Sequence, residues 1–122
     1  MITPLYALPL TALFIVLSAR VINYRKAQRI SLGDGDDPEL RGRVRAHGNC
    51  AEFAPMGLVL LLMAELAQAP APALHFAGTA LLTGRVLHAW AIGWRGPFAA
   101  RVAGMVLTFL SLAAAALAAV LA

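Results

Sequence analysis

Four apolar runs alternate with shorter polar stretches along this chain. Ile2–Ala19, Met56–Ala67, Ala73–Leu82 and Val102–Ala122 are nearly free of charge, whereas Arg20–Glu52 holds most of the ionisable groups. A helix needs roughly 20 mainly apolar residues to cross the hydrocarbon of a bilayer. The pattern predicts four such helices, over about residues 4–25, 38–68, 73–94 and 98–121. Between the first two, "SLGDGDDPEL" reads as a turn followed by a helix start: Gly33 and Gly35 give flexibility, Asp37 is a good N-cap and Pro38 suits the first helical position. The second helix then runs until "APAP" stops it and spans roughly 45 Å at 1.5 Å per residue. That exceeds the hydrocarbon thickness, so its first turns, Glu39–Asn49, are expected in the headgroup region or beyond. "RGP" separates the third helix from the fourth, whose Ala- and Leu-rich sequence suits close helix packing. The expected fold is all-α: an integral membrane four-helix bundle forming one domain over residues 1–122.

Composition supports the bilayer. Of the 122 residues 61% are hydrophobic and 13% charged, against about 25% charged in an ordinary soluble domain. The first run lacks the basic start of a secretory signal, so it is read as a permanent helix. The single cysteine, Cys50, excludes an internal disulfide and a multi-cysteine metal site. A net charge of +4 is no nucleic-acid signature, because the basic residues flank membrane segments and form no soluble patch interleaved with aromatics. All ten Lys and Arg lie at one side of the plan: Arg20, Arg25, Lys26, Arg29, Arg41, Arg43 and Arg45 around the first loop, Arg85, Arg95 and Arg101 around the third. The positive-inside rule puts both charged loops in the cytoplasm and both termini outside.

The polar groups of the second helix fall on one face. At 100° per residue, Arg41, Arg45, Asn49 and Glu52 share about 80° of arc, while His47 and Cys50 point elsewhere. The third helix adds Arg85 and, one turn on, His88. A charge near the centre of a span costs roughly 2.5–3.5 kcal/mol on insertion scales, so these groups should face one another or a wet cavity. Two readings follow. Glu52 pairs with Arg85 or Arg45 as a structural clamp, or the stripe is a site for an anionic small molecule, with arginines on carboxylates and Glu52 on an amine. "DGDDPE" lacks the Gly and Glu spacing of an EF-hand loop and reads as a solvated turn. His47 and Cys50 have no third partner at helical spacing, so no metal site is expected and Cys50 reads as a packing residue. His75 and Glu65 fall near the outer ends of their helices and are expected to be interfacial and solvated. Trp90 and Trp94 suit an aromatic belt.

The pattern resembles the membrane-associated proteins in eicosanoid and glutathione metabolism, the MAPEG family. The resemblance rests on Arg45-Ala46-His47-Gly48-Asn49-Cys50-Ala51-Glu52 followed by Pro55, on "RVINYRKAQR" at the end of the first helix and on "GRVLHAW" in the third; the loop "ISLGDGDDPELR" is similar to that of a bacterial subgroup. It covers nearly the whole chain. It implies a four-helix membrane bundle assembled as a homotrimer in a bacterial inner membrane, with glutathione held between neighbouring subunits as co-substrate. By position, Arg45, Asn49 and Glu52 would contact glutathione. Arg25 would contribute from the adjacent subunit, and Arg85 and His88 from the third helix.

The implied activity is of glutathione transferase or peroxidase type, on a lipophilic small molecule dissolved among the membrane lipids. An arginine beside the sulfur would lower the thiol pKa from near 8.5; Arg95 and Arg101, around the start of the fourth helix, are the two candidates. Catalytic relatives carry tyrosines in the second half of the third helix, where this chain has His88 and Ile92. A non-catalytic lipid-binding or scaffold protein is therefore one alternative. A small proton-coupled transporter titrating Glu52 is the other, opposed by Arg45 and Asn49 on the same face, which favour the ionised carboxylate.

Overall fold

The structure, a computed structural model, describes residues 1–122 and contains four helices: α1 (Thr3–Gln28), α2 (Pro38–Leu66), α3 (Ala71–Gly93) and α4 (Phe98–Leu121). Each lies within a few residues of its predicted span, and α1 runs one turn further through its polar end. The start of α2 follows the local signals. Asp37 sits in extended backbone and its carboxylate accepts from the amides of Glu39 and Leu40, with Pro38 opening the helix. Gly33 and Gly35, both at positive φ, carry the chain through the preceding turn.

Helices α1, α2 and α4 are long and apolar enough to cross a membrane. Helix α3, outside that set, lies innermost: ten of its residues are buried, against three in α1, seven in α2 and five in α4. Its position depends on small residues. A Cβ on Gly84 would come within 2.8 Å of the Gly104 carbonyl and the Thr108 hydroxyl, and a Cβ on Gly104 within 2.7 Å of the Gly84 carbonyl. The backbones of α3 and α4 therefore meet where neither chain has a side chain. Ser111 returns its hydroxyl to the Ala77 carbonyl at 2.7 Å, and Thr108 to Gly104 at 2.7 Å. The large exposed side chains of α1 and α4, among them Ile15, Phe109 and Leu117, point outward, as expected for surfaces whose solvent is lipid.

The two ends of the bundle differ in chemistry. At one end Glu65 of α2 accepts from the amides of Ile2 and Thr3, the latter at 2.9 Å, and so caps α1. The expectation that Glu65 is merely solvated is corrected: four free amides at a helix start draw a carboxylate across the bundle. His75, expected at the interface, meets the Tyr6 hydroxyl through Nδ1 at 2.7 Å. At the other end Arg20 donates to the Gly93 carbonyl at 2.6 Å with its guanidinium 3.8 Å from the Trp94 ring, and Glu39 accepts from Arg43 at 2.8 Å. Arg95 reaches the same carboxylate at 3.4 Å. Both basic loops thus share one end of the molecule.

Candidate functional site

Near the basic end a cleft of about 310 Å³ opens between α2, α3 and the start of α4, lined by Pro38, Arg41, Gly42, Arg45, Asn49, His88, Ile92 and Arg101. The helical period assembles it. Arg41, Arg45 and Asn49 recur every four residues on α2 and so stack along one face. His88 and Ile92 do the same on α3, and the short turn at Trp94–Pro97 brings Arg101 back across them.

Beneath the cleft lies Arg85, 1% exposed. Its guanidinium donates to Thr108 Oγ1 at 2.9 and 3.0 Å, to the Asn49 backbone carbonyl at 3.3 Å and to Asn49 Oδ1, with the Met105 sulfur at 3.4 Å. This buried cation is held by neutral acceptors alone. It also fixes the Asn49 amide: with Oδ1 turned toward Arg85, the NH₂ is left for the cleft. The polar groups presented there are three guanidinium groups, one amide NH₂ and the His88 ring, 3% exposed. No carboxylate and no hydroxyl side chain lines it. Such a donor-rich cleft suits a ligand with more than one anionic or carbonyl oxygen.

The remaining candidates lie elsewhere in the single chain. Glu52 does not line the cleft; it stands one turn deeper, 3.6 Å from Arg45, and both side chains are about half exposed. Of the two clamp partners considered for it, Arg45 is the one it meets. Arg95 is turned to Glu39 and outward, whereas Arg101 lines the cleft. Arg25 braces its own loop by donating to the Gly33 carbonyl at 2.7 Å. Arg41, on the stripe but outside the expected contact set, does line the cleft, and its Nε bonds Asp34 at 2.8 Å. Its place on the arc was signal enough. Thr108 had no such signal, since only the α3–α4 register brings it to Arg85.

The loop acids tie this end together. The hydrogen bond from Arg41 holds the Asp34 carboxyl below the usual carboxylate range, helped by the Asp36 amide. The bond from the Tyr24 hydroxyl, at 2.8 Å, does the same for Asp37, with the capped amides of α2 adding to it.

A sequence model described as the MAPEG family matches residues 3–121. The chain belongs to the MAPEG family. It is also 36% identical over 88 residues to the inner membrane protein YecN of Escherichia coli strain K12, an alignment covering 72% of this chain and 67% of that protein. YecN of Escherichia coli O6:H1 matches to the same extent. The four helices accordingly form a multi-pass membrane protein of the MAPEG family, with the cleft at the basic end of its bundle.

Proposed function

We propose that this MAPEG protein binds glutathione in the cleft between α2, α3 and α4. The observation that carries the reading is the convergence of Arg41, Arg45, Arg101 and the Asn49 amide on one cavity, which matches a tripeptide bearing two carboxylates. Arg101 is the cation for the sulfur, because it lines the cavity and has no carboxylate partner of its own. With the thiolate favoured, its lone pair attacks an electrophilic carbon. A carbon–sulfur bond forms, and the displaced electron pair leaves with a leaving group or is protonated on the acceptor. The acceptor arrives laterally from lipid, and holding both partners together supplies the rate.

The protein sits in a bacterial inner membrane, with the basic end in the cytoplasm where glutathione is supplied. It works as a homotrimer, in which a neighbouring copy covers the half-exposed Arg45–Glu52 edge of α2 and brings its Arg25 toward the ligand. A second reading, a member that binds without turnover, is favoured by one observation: neither tyrosine reaches the cleft, since Tyr6 is bonded to His75 and Tyr24 to Asp37.

Thermal unfolding of the purified protein in detergent tests both. Millimolar glutathione should raise the midpoint, and Arg45→Ala should remove the rise while leaving the free protein folded. No rise at any glutathione concentration would end the proposal. An electrophilic acceptor added with glutathione then separates enzyme from binder through appearance of the conjugate.

A further inference from the structure

The ion pairs leave a local excess of positive charge far along α1. Arg20, Arg41, Arg43, Arg45 and Arg95 each face a carboxylate, Arg85 is buried on neutral acceptors and Arg101 belongs to the cleft. The three remaining cations, Arg25, Lys26 and Arg29, fall within five residues. They line a hollow of about 390 Å³ with Ile22 and Ile30, which shares no residue with the cleft. Arg25 is committed in part to the Gly33 and Ile30 carbonyls, so Lys26 and Arg29 are the exposed donors. Arg29 is held there by its left-handed backbone, φ 57°, which ends the helix.

What lies below these cations is apolar and outward-facing. Leu8, Ile15 and Ile22 recur every seven residues and are 75%, 61% and 51% exposed. With Lys26 they occupy about 40° of one helix face, and Arg29 follows at the residue that ends the helix. From Ile22 to Ile15 the stripe descends roughly 10 Å, and to Leu8 roughly 21 Å, enough to run beyond one leaflet of a hydrocarbon core about 30 Å thick. Beside the cations, Leu32 of the loop is 86% exposed, an apolar side chain suited to the boundary between headgroups and acyl chains.

We infer that the end of α1 is a binding site for an anionic phospholipid, its phosphate on Lys26 and Arg29 and an acyl chain along Ile22, Ile15 and Leu8. Charge selects the headgroup: a phosphodiester without a cationic partner gains from both side chains, whereas a zwitterionic headgroup brings its own cation into the same hollow. The phosphate is assigned to Lys26 and Arg29, which line no part of the cleft; Arg25, which the proposed trimer brings toward glutathione, only borders the hollow.

The test uses the delipidated protein in neutral detergent, titrated with phosphatidylglycerol and, separately, with phosphatidylcholine of the same acyl chains, reading the thermal midpoint. Phosphatidylglycerol should stabilise at lower concentration, and Lys26→Gln and Arg29→Gln should each weaken that binding about fivefold. Lys26→Arg should retain it. Soluble glycerol phosphate should have no effect at the same headgroup concentration. Equal stabilisation by the two lipids, or an unchanged preference in the double Lys26→Gln/Arg29→Gln variant, would overturn the inference. A full effect of glycerol phosphate alone would mark a free-anion site, and loss of self-association in place of lipid preference would mark a second copy; either also overturns it.

Discussion

Arg85 and Arg101 are the same side chain in two different trades, and their surroundings decide which. Arg85 is enclosed, and Thr108 supplies two of its hydrogen bonds. Thr108→Val keeps the shape and removes the acceptor, leaving a buried cation short of partners. Hydrogen bonds to charged groups contribute about 1.5–3 kcal/mol, and a loss of that size is expected in chemical unfolding of the purified protein. An unchanged unfolding curve would show that Arg85 finds its acceptors elsewhere. Arg101 is open to the cavity and bonded to no side chain, so Arg101→Gln should leave the free protein's midpoint where it is. It should also raise the apparent pKa of bound glutathione toward that of the free thiol, read from thiolate absorbance against pH; an unmoved titration would exclude Arg101 as the sulfur's cation. The sequence put Arg85 inside the third helix and Arg101 at the start of the fourth, but did not show which of them is enclosed, because enclosure depends on which helix lies opposite. For Asn49 it was the same: an amide side chain carries both donor and acceptor, and only the contact with Arg85 leaves it a donor to the cleft.

At the scale of helices, legibility followed the range of the interaction. The start of α2 needs only Asp37, Pro38 and the next two amides, all adjacent in sequence, and it appears where the signals put it. The cap that Glu65 places on α1 joins residues more than sixty apart and left no local trace. Between α3 and α4, Gly84 and Gly104 are individually unremarkable in sequence, yet their facing backbones set the register that brings Thr108 to Arg85. Gly84→Ala forces a Cβ into the Gly104 carbonyl and should cost about 1–3 kcal/mol by overpacking, measured by unfolding in detergent; a neutral result would mean that the helices part easily there. The loop joining α1 and α2 should respond to acid. Asp34 and Asp37 have folded-state pKa values below their ordinary ones, so the stability they contribute is fully present above the unfolded carboxylate value of about 3.9 and is lost as pH falls through the lower folded values. The midpoint should therefore drop below about pH 4, and Tyr24→Phe should shrink the part of that drop due to Asp37. A midpoint that rises on acidification would reverse the assignment.

For the whole molecule, the unresolved cost is the Arg45–Glu52 edge. The pair is only 3.6 Å apart, yet its side chains are 54% and 55% exposed on a helix that enters the bilayer. Facing lipid, such a pair would have to give up hydration without gaining partners, at a few kcal/mol for each charge. Covered by the end of a neighbouring copy's α1, as in the proposed trimer, each carboxylate would gain a further guanidinium donor from that copy's Arg25, and the cavity beside it would be closed off from hydrocarbon. Association into a closed ring of three would remove the cost in every copy, since each offers one surface to the next and has its own Arg45–Glu52 edge covered in turn. Native mass spectrometry from a mild detergent should accordingly detect three chains, and Glu52→Arg, which sets like charges against one another along that edge, should shift the population toward single chains. The same variant should lose stabilisation by glutathione if the ligand lies between copies, whereas a monomeric site would keep it. A protein that stays monomeric over the accessible concentration range, with Glu52→Arg indistinguishable from it, would require the edge to face water inside one chain instead of another subunit.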